Sequence, residues 1–234
     1  MRRHRARMFV VVGFIFFSCT AFGQEAKPRA ATFRLDSLSG LEAINTRAEV
    51  AEYHGRRAVR LTRPENKGAE INPNNESLAI ITGTDFKDGT IEAEVAGMPA
   101  AGAPADARGF IGIAFRVAAH GEKFECFYLR PTNGRADDQL RRNHSVQYVS
   151  SPDYPWYRLR KENPGVYESY ADMVAGEWTK IRIEVEGTKA RLYVNGAEQP
   201  SLIVNDLKLG EGRGQIALWT TVETDGYFSN LTVK

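Results

Sequence analysis

Cysteine is nearly absent, with two residues in a chain of 234. That excludes a disulfide-stapled miniprotein, which needs several bridges to replace a core. Histidine is scarce too: four in all, widely spaced and without a His-x-x-x-His pair. A zinc site is therefore not expected, because zinc needs three or four convergent ligands. No Gly-x-Ser-x-Gly elbow and no phosphate-binding loop occurs. Charge of one sign is missing as well, since the formal net charge is only +2. A polyanion-binding role is excluded on that ground, so no nucleic-acid partner is expected. No segment holds a helical period of any length, and no βαβ alternation appears, which excludes a parallel sheet. The apolar fraction of 42% is too high for a disordered chain.

The longest apolar run, Met8 to Phe17, is too short for the ~20 residues that span a bilayer. It follows a basic stretch with Arg2, Arg3, Arg5 and Arg7, and precedes small residues at Ala21 and Gly23. Basic start, apolar centre and small-residue exit are the parts of an export signal. Residues 1–23 read as a signal peptide cut before Gln24, 24–31 as a tail and 32–234 as one domain. The expected location is secreted or periplasmic, with no integral membrane segment after removal. Ser18-Cys19 leaves a lipid anchor at Cys19 as the alternative. Removing 1–23 takes four arginines and no acid, so the net charge changes from +2 to −2. One cysteine, Cys126, then remains, in an apolar strand where it reads as a small buried hydrophobe.

What is present is β-structure. Apolar and polar residues alternate in runs bounded by Gly, Pro, Asn and Asp. The runs are Thr32–Asp36, Ala48–Tyr53, Arg57–Thr62, Leu78–Ile81, Gly89–Val95, Phe110–Val117, Phe124–Leu129, Ser145–Val149, Trp178–Glu186, Lys189–Val194, Gln215–Thr220 and Gly226–Val233. His54-Gly55, Gly187-Thr188 and Asn195-Gly196 supply tight turns between neighbours. The expected fold is all-β, an antiparallel two-sheet jelly-roll sandwich. Tyr167–Val174 is the one stretch expected to make a helical turn or two.

Aromatic residues are unevenly spread. Six of the nine tyrosines lie between 124 and 172, with Trp156 and several arginines. A sugar offers apolar C–H faces ringed by hydroxyls. Rings stack on the faces, while Arg, Gln and Asn bind the hydroxyls. Alternation puts Tyr128 and Arg130 on one strand face, and Gly112, Ala114 and Arg116 on one face of the preceding strand. The candidate ligand residues are Arg116, Tyr128, Arg130, Arg142, Gln147, Tyr154, Trp156 and Arg158. Packing under a long loop explains the same rings and stays open beside this. The candidate catalytic carboxyls are Glu168, Asp138 and Asp172; Glu168 and Asp172 would share a face if 167–174 were helical. Glu92 and Glu94 read as a solvated strand face. No cofactor is expected; structural calcium stays open through Asp36 and Asp225.

Several segments carry a wider likeness. They are Gly89-Thr90-Ile91-Glu92-Ala93-Glu94-Val95, Gly109-Phe110-Ile111-Gly112-Ile113-Ala114-Phe115-Arg116 and Trp178-Thr179-Lys180-Ile181-Arg182-Ile183-Glu184-Val185. Ala190-Arg191-Leu192-Tyr193-Val194-Asn195-Gly196, Gly214-Gln215-Ile216-Ala217-Leu218-Trp219 and Gly226-Tyr227-Phe228-Ser229-Asn230-Leu231 complete the order. This pattern over 32–234 resembles the concanavalin A-like lectin/glucanase superfamily, within it laminin-G-type and 3-keto-disaccharide hydrolase domains. The resemblance implies two curved antiparallel sheets, with ligands on the concave sheet or its rim. The Glu-x-Asp-x-x-Glu strand of the superfamily's retaining glucanases is missing, and no catalytic residue carries over. The expected function is a carbohydrate-binding domain. A hydrolase or lyase acting on (keto-)glycosides and a laminin-G-like protein-interaction module are the alternatives.

Overall fold

The computed structural model describes residues 30–63 and 76–234. The signal peptide and lipid-anchor expectations, and residues 24–29 of the tail, lie outside the described residues.

The described chain runs β1 (Ala31–Phe33), β2 (Leu41–Ile44), β3 (Arg47–Tyr53), β4 (Arg56–Thr62), β5 (Glu76–Phe86), β6 (Gly89–Pro99), β7 (Ile111–Val117) and β8 (Phe124–Leu129). It continues with α1 (Gln139–Asn143), β9 (Val146–Ser151), α2 (Trp156–Glu162), β10 (Glu168–Ser169), β11 (Thr179–Glu186), β12 (Lys189–Val194), β13 (Leu202–Val204), β14 (Gly214–Thr221) and β15 (Thr224–Val233). All pairings are antiparallel. One sheet has the order β13-β12-β11-β6-β15-β4-β3, with β1 also paired to β15; the other has the order β10-β9-β8-β7-β14-β5-β2. This is the jelly-roll sandwich that the alternation predicts.

The core lies between the sheets. From one side come Val59 and Leu61 of β4, Ile91 and Val95 of β6, and Ile181, Ile183 and Val185 of β11. Ile113 and Phe115 of β7, Phe127 and Leu129 of β8, and Ile216 and Leu218 of β14 meet them. The turns behave as their residues dictate: Asn195 and Gly196 adopt φ of 53° and 74°, the left-handed pair that a two-residue hairpin needs.

Two expectations change. Tyr167–Val174 is not helical. It forms the two-residue β10 against β9 and then runs extended, with Ser145 Oγ bonded to both the N–H and the carbonyl of Ala171. Tyr167, Ala171 and Met173 all enter the core, which a spacing of two satisfies and a helical turn does not. The second change is a bulge in β7. Ala114 to Val117 spans three steps against two on β14, and Arg116 takes φ of 53°. The extra residue ends the alternation there, so Val117 rather than Arg116 shares the face of Ala114.

Candidate functional site

The second sheet has one face in the core and one turned away from it. On the outer face, register aligns a row across five strands. Trp219 pairs with Gly112, Gly112 with Tyr128, Tyr128 with Gln147, and Gln147 with Glu168. Directly opposed residues project to the same side. Their sequence neighbours Leu218, Ile113, Phe127 and Tyr148 all enter the core.

Gly112 makes the row possible. A Cβ there would lie 2.6 Å from Tyr128 Cα. Without one, the Tyr128 ring crosses β7 and stacks on Trp219, centroids 4.7 Å apart and planes at 27°. Phe110 tilts against Tyr128 at 5.5 Å. These three rings, with Trp156 and Tyr157 at the start of α2, line a cleft that also receives Glu76, Ser150, Ser151, Thr221 and Glu223. Glu76 is buried and accepts from Ser151 Oγ at 2.9 Å. Trp219 is 3% exposed, and its Nε1 has no hydrogen-bond partner. An unpaired buried donor costs about 1–3 kcal/mol, and this N–H is itself enclosed within the sheet's outer layer.

A buried ionic cluster borders the cleft. Arg130 donates to Tyr128 Oη at 2.9 Å, Gln147 Oε1 at 3.1 Å and the His144 carbonyl at 3.0 Å. Its guanidinium lies over the rings of Tyr128, Phe110 and Trp156 at 5.2, 5.6 and 5.7 Å. Burial pushes the Tyr128 hydroxyl up to about 12, against the pull of Arg130. Glu168 accepts from Arg160 through both oxygens, 2.6 Å at the shortest, with Arg130 at 3.8 Å and His144 Nε2 at 3.2 Å. Arg160 covers Trp156 at 4.8 Å, so two arginines contact this half-exposed indole. Burial holds the His144 imidazole below its ordinary value, against Glu168 and with the help of Arg160 and Arg130.

Of the residues singled out in the sequence, the structure gathers Tyr128, Arg130, Gln147, Trp156 and Glu168 in and beside the cleft. It sets the others elsewhere. Past the bulge, Arg116 is buried and locks three loops through the carbonyls of Lys87, Gly187 and Gly210 and the carboxylate of Asp88. Tyr154 packs against the core under Arg158 at 4.3 Å and Lys208 at 5.6 Å. Arg158 itself holds Glu162 and the Asp153 carbonyl. Arg142 donates to Tyr170 Oη at the surface. Asp138 caps α1 by accepting from the Arg141 N–H at 3.1 Å. Asp172 is exposed, and its carboxyl is held low, chiefly by the hydrogen bond from Arg135. Asp225 accepts two bonds from Arg60 and a longer one from Tyr227 Oη, and no group of three or more His, Cys, Asp or Glu among the described residues could hold a metal ion.

Sequence reasoning missed Phe110, Trp219, Glu76, Glu223, Tyr157 and Arg160. The alternation Glu76-Leu78-Ile80 does place Glu76 on the face of Leu78. What was not readable is that β5 and β14 pair, with Glu76 opposite Thr221.

The family model for the 3-keto-alpha-glucoside-1,2-lyase-like domain matches residues 45–234. The chain belongs to this family. The match takes in every residue of the cleft. None of the curated proteins matches the chain. Among solved structures, the carbohydrate-binding module CBM66 from Bacillus subtilis is similar, with TM-score 0.55 and 12% identity, covering 83% of this chain and 96% of that one. A putative glycosyl hydrolase from Parabacteroides distasonis ATCC 8503 gives TM-score 0.51 and 11% identity over 87% of this chain and 98% of its own. Peanut lectin gives 0.50 and 10% identity, over 88% and 98%. At these identities the likeness is one of fold, and that fold is the concanavalin A-like jelly roll. The 3-keto-alpha-glucoside-1,2-lyase-like domain therefore carries its cleft on the outer face of one sheet of that jelly roll.

Proposed function

We propose that the cleft binds a carbohydrate ring and that the protein is an exported carbohydrate-binding jelly roll. The observation that carries this is the Tyr128–Trp219 stack laid over Gly112, which with Phe110, Trp156 and Tyr157 lines an aromatic cleft. Flat rings suit the C–H face of a sugar, and the polar groups lining the same cleft suit its hydroxyls. Export is supported by the basic, apolar and small-residue order of residues 1–23; a mature N-terminus at Gln24 by mass spectrometry tests it. Calorimetry with glucosides and 3-keto-glucosides tests binding. Trp219→Phe shrinks the ring stacked on Tyr128 and should weaken affinity about fivefold to tenfold. Trp156→Ala should weaken it further. Affinity unchanged in both variants overturns the reading.

A second reading is favoured by the family match and by two carboxylates, Glu76 and Glu223, lining the same cleft. In a 3-keto-glucoside the carbonyl at C3 acidifies the proton on C2. A carboxylate takes that proton, a C1=C2 bond forms, and the C1–O bond breaks with its electron pair leaving on the aglycone oxygen. The product is an enone that absorbs in the ultraviolet. Its appearance with wild-type protein, and its loss in Glu76→Gln or Glu223→Gln, supports elimination; absence of the enone with protein that binds the substrate leaves binding alone.

A further inference from the structure

A second charged group stands beside the cleft, around the 3-10 turn Pro131–Asn133 that follows β8. The Thr132 N–H donates to the Arg108 carbonyl at 3.4 Å, two residues before Phe110. Arg141 of α1 donates to the Thr132 carbonyl at 3.4 Å and to Asn133 Oδ1 at 3.3 Å. Arg130, which opens the turn, bears on Phe110 and Trp156. Arg130 and Arg141 thus bring their guanidiniums to one turn at the cleft's edge, and Arg108 meets the same turn through its backbone.

Their charges are not balanced alike. Arg130 has Glu168. Arg108 and Arg141 are half-buried, and neither forms an ion pair with any described residue. Arg108 has one side-chain bond, to the Ala107 carbonyl at 3.4 Å. Burial, and next the positive charge of Arg141, hold Arg108 below its ordinary value; Asp106 opposes them with a smaller effect. Asp138, the nearest acid on the chain to Arg141, is engaged as the cap of α1. Thr132 Oγ1 is buried at the same turn with no partner. Two half-buried guanidinium-bearing side chains at one turn, with no acid paired to either, leave positive charge unbalanced there. An anion would balance that charge, and guanidiniums bind carboxylate and phosphate oxygens well.

We propose that Arg108 and Arg141 receive the anionic group, carboxylate or phosphate, of an acidic sugar whose ring lies in the aromatic cleft. This rests on the carbohydrate reading of that cleft. The test is calorimetry on the full chain at constant ionic strength with methyl glucoside, methyl glucuronide and glucose 6-phosphate. Inorganic sulfate, followed through the Arg108 side-chain Nε resonance, is the bare-anion control.

At least one acidic sugar should bind about tenfold or more tighter than the neutral one, and which one does so distinguishes carboxylate from phosphate. Arg108→Gln should bring it down to the neutral affinity. That variant loses a single long hydrogen bond and should fold, whereas Arg141→Gln also releases the turn and serves as the second variant. Equal affinity for all three sugars overturns the inference and leaves the cleft reading intact. If no sugar binds but sulfate still shifts Arg108, the cleft reading falls and the anion site stands. If sulfate shifts nothing and no acidic sugar is preferred, the anion site falls.

Discussion

At the scale of single residues, the cleft depends on an absence, the missing side chain at position 112. Gly112→Ala forces its methyl into the β8 backbone, against the Phe127 carbonyl and Tyr128 Cα, and should cost about 1–3 kcal/mol or more through overpacking. Thermal unfolding reads the loss. The near-ultraviolet dichroism of the Tyr128–Trp219 pair should weaken in the folded state as well. Glu125 sets a second expectation. It is fully buried and accepts from Tyr148 Oη at 2.6 Å and from the Leu209 N–H at 2.8 Å. Burial raises its carboxyl above the ordinary 4.5, against those bonds. Its contribution is thus fully present below that ordinary value and is lost as pH rises through the raised one. Urea midpoints from acid to neutral pH should show this decline, and Glu125→Gln should flatten it. Residue-level alternation was enough to place Tyr128 and Arg130 on one face, while the alignment of Gln147 with them comes from the register of β8 and β9. It failed at Arg116, because a bulge is defined by the partner strand and leaves no local mark.

At the scale of elements, the connection from β9 to β11 builds one wall of the cleft. Only Leu159 of α2 is fully buried, so the helix is secured largely by the clamp of Arg160 and Arg130 on Glu168. Glu168→Gln leaves two arginines short of their acid in a buried place, a loss of about 3–5 kcal/mol for a broken buried pair. Hydrogen exchange should then speed up first in α2 and β10, while β7 and β14 keep their protection. Should all four elements lose protection together, the clamp is not local. The strands were legible because each buries one face and so alternates. Helices α1 and α2 were not, since elements of five and seven residues show too little of a 3.6-residue period. The extended run after Tyr167 carried aromatic and acidic spacing that a helix would also fit, and only its core contacts decide.

At the scale of the whole molecule, Cys126 has no exposed surface although it lies on the outer face of the second sheet, packed with Leu78, Phe124 and Val149. Burial, with Glu76 and Glu125 adding, raises its thiol well above its ordinary value. An alkylating reagent should leave Cys126 untouched in the folded protein and modify it fully in denaturant, at a rate that follows loosening of the second sheet's outer layer. Rapid labelling of the folded protein would contradict the packing of the second sheet. The sandwich could be read from hairpin turns and alternation. The sheet orders could not, because β6 with β15 and β5 with β14 join segments far apart in sequence. The cleft belongs to that distant pairing: Trp219 meets Tyr128 only because β14 and β8 flank β7.

The three tryptophans offer the most direct test of the carbohydrate cleft. Trp156 and Trp219 line it. Trp178 sits beside Tyr53 and Tyr227 of the opposite sheet, with its Nε1 donating to the Tyr53 carbonyl at 3.3 Å. Indole N–H resonances of nitrogen-15-labelled protein, titrated with glucosides and their 3-keto forms, report all three at once. The account predicts that Trp219 and Trp156 shift with saturation while Trp178 stays in place. A titration that moves Trp178 alone, or that leaves all three unmoved across the panel, would contradict it.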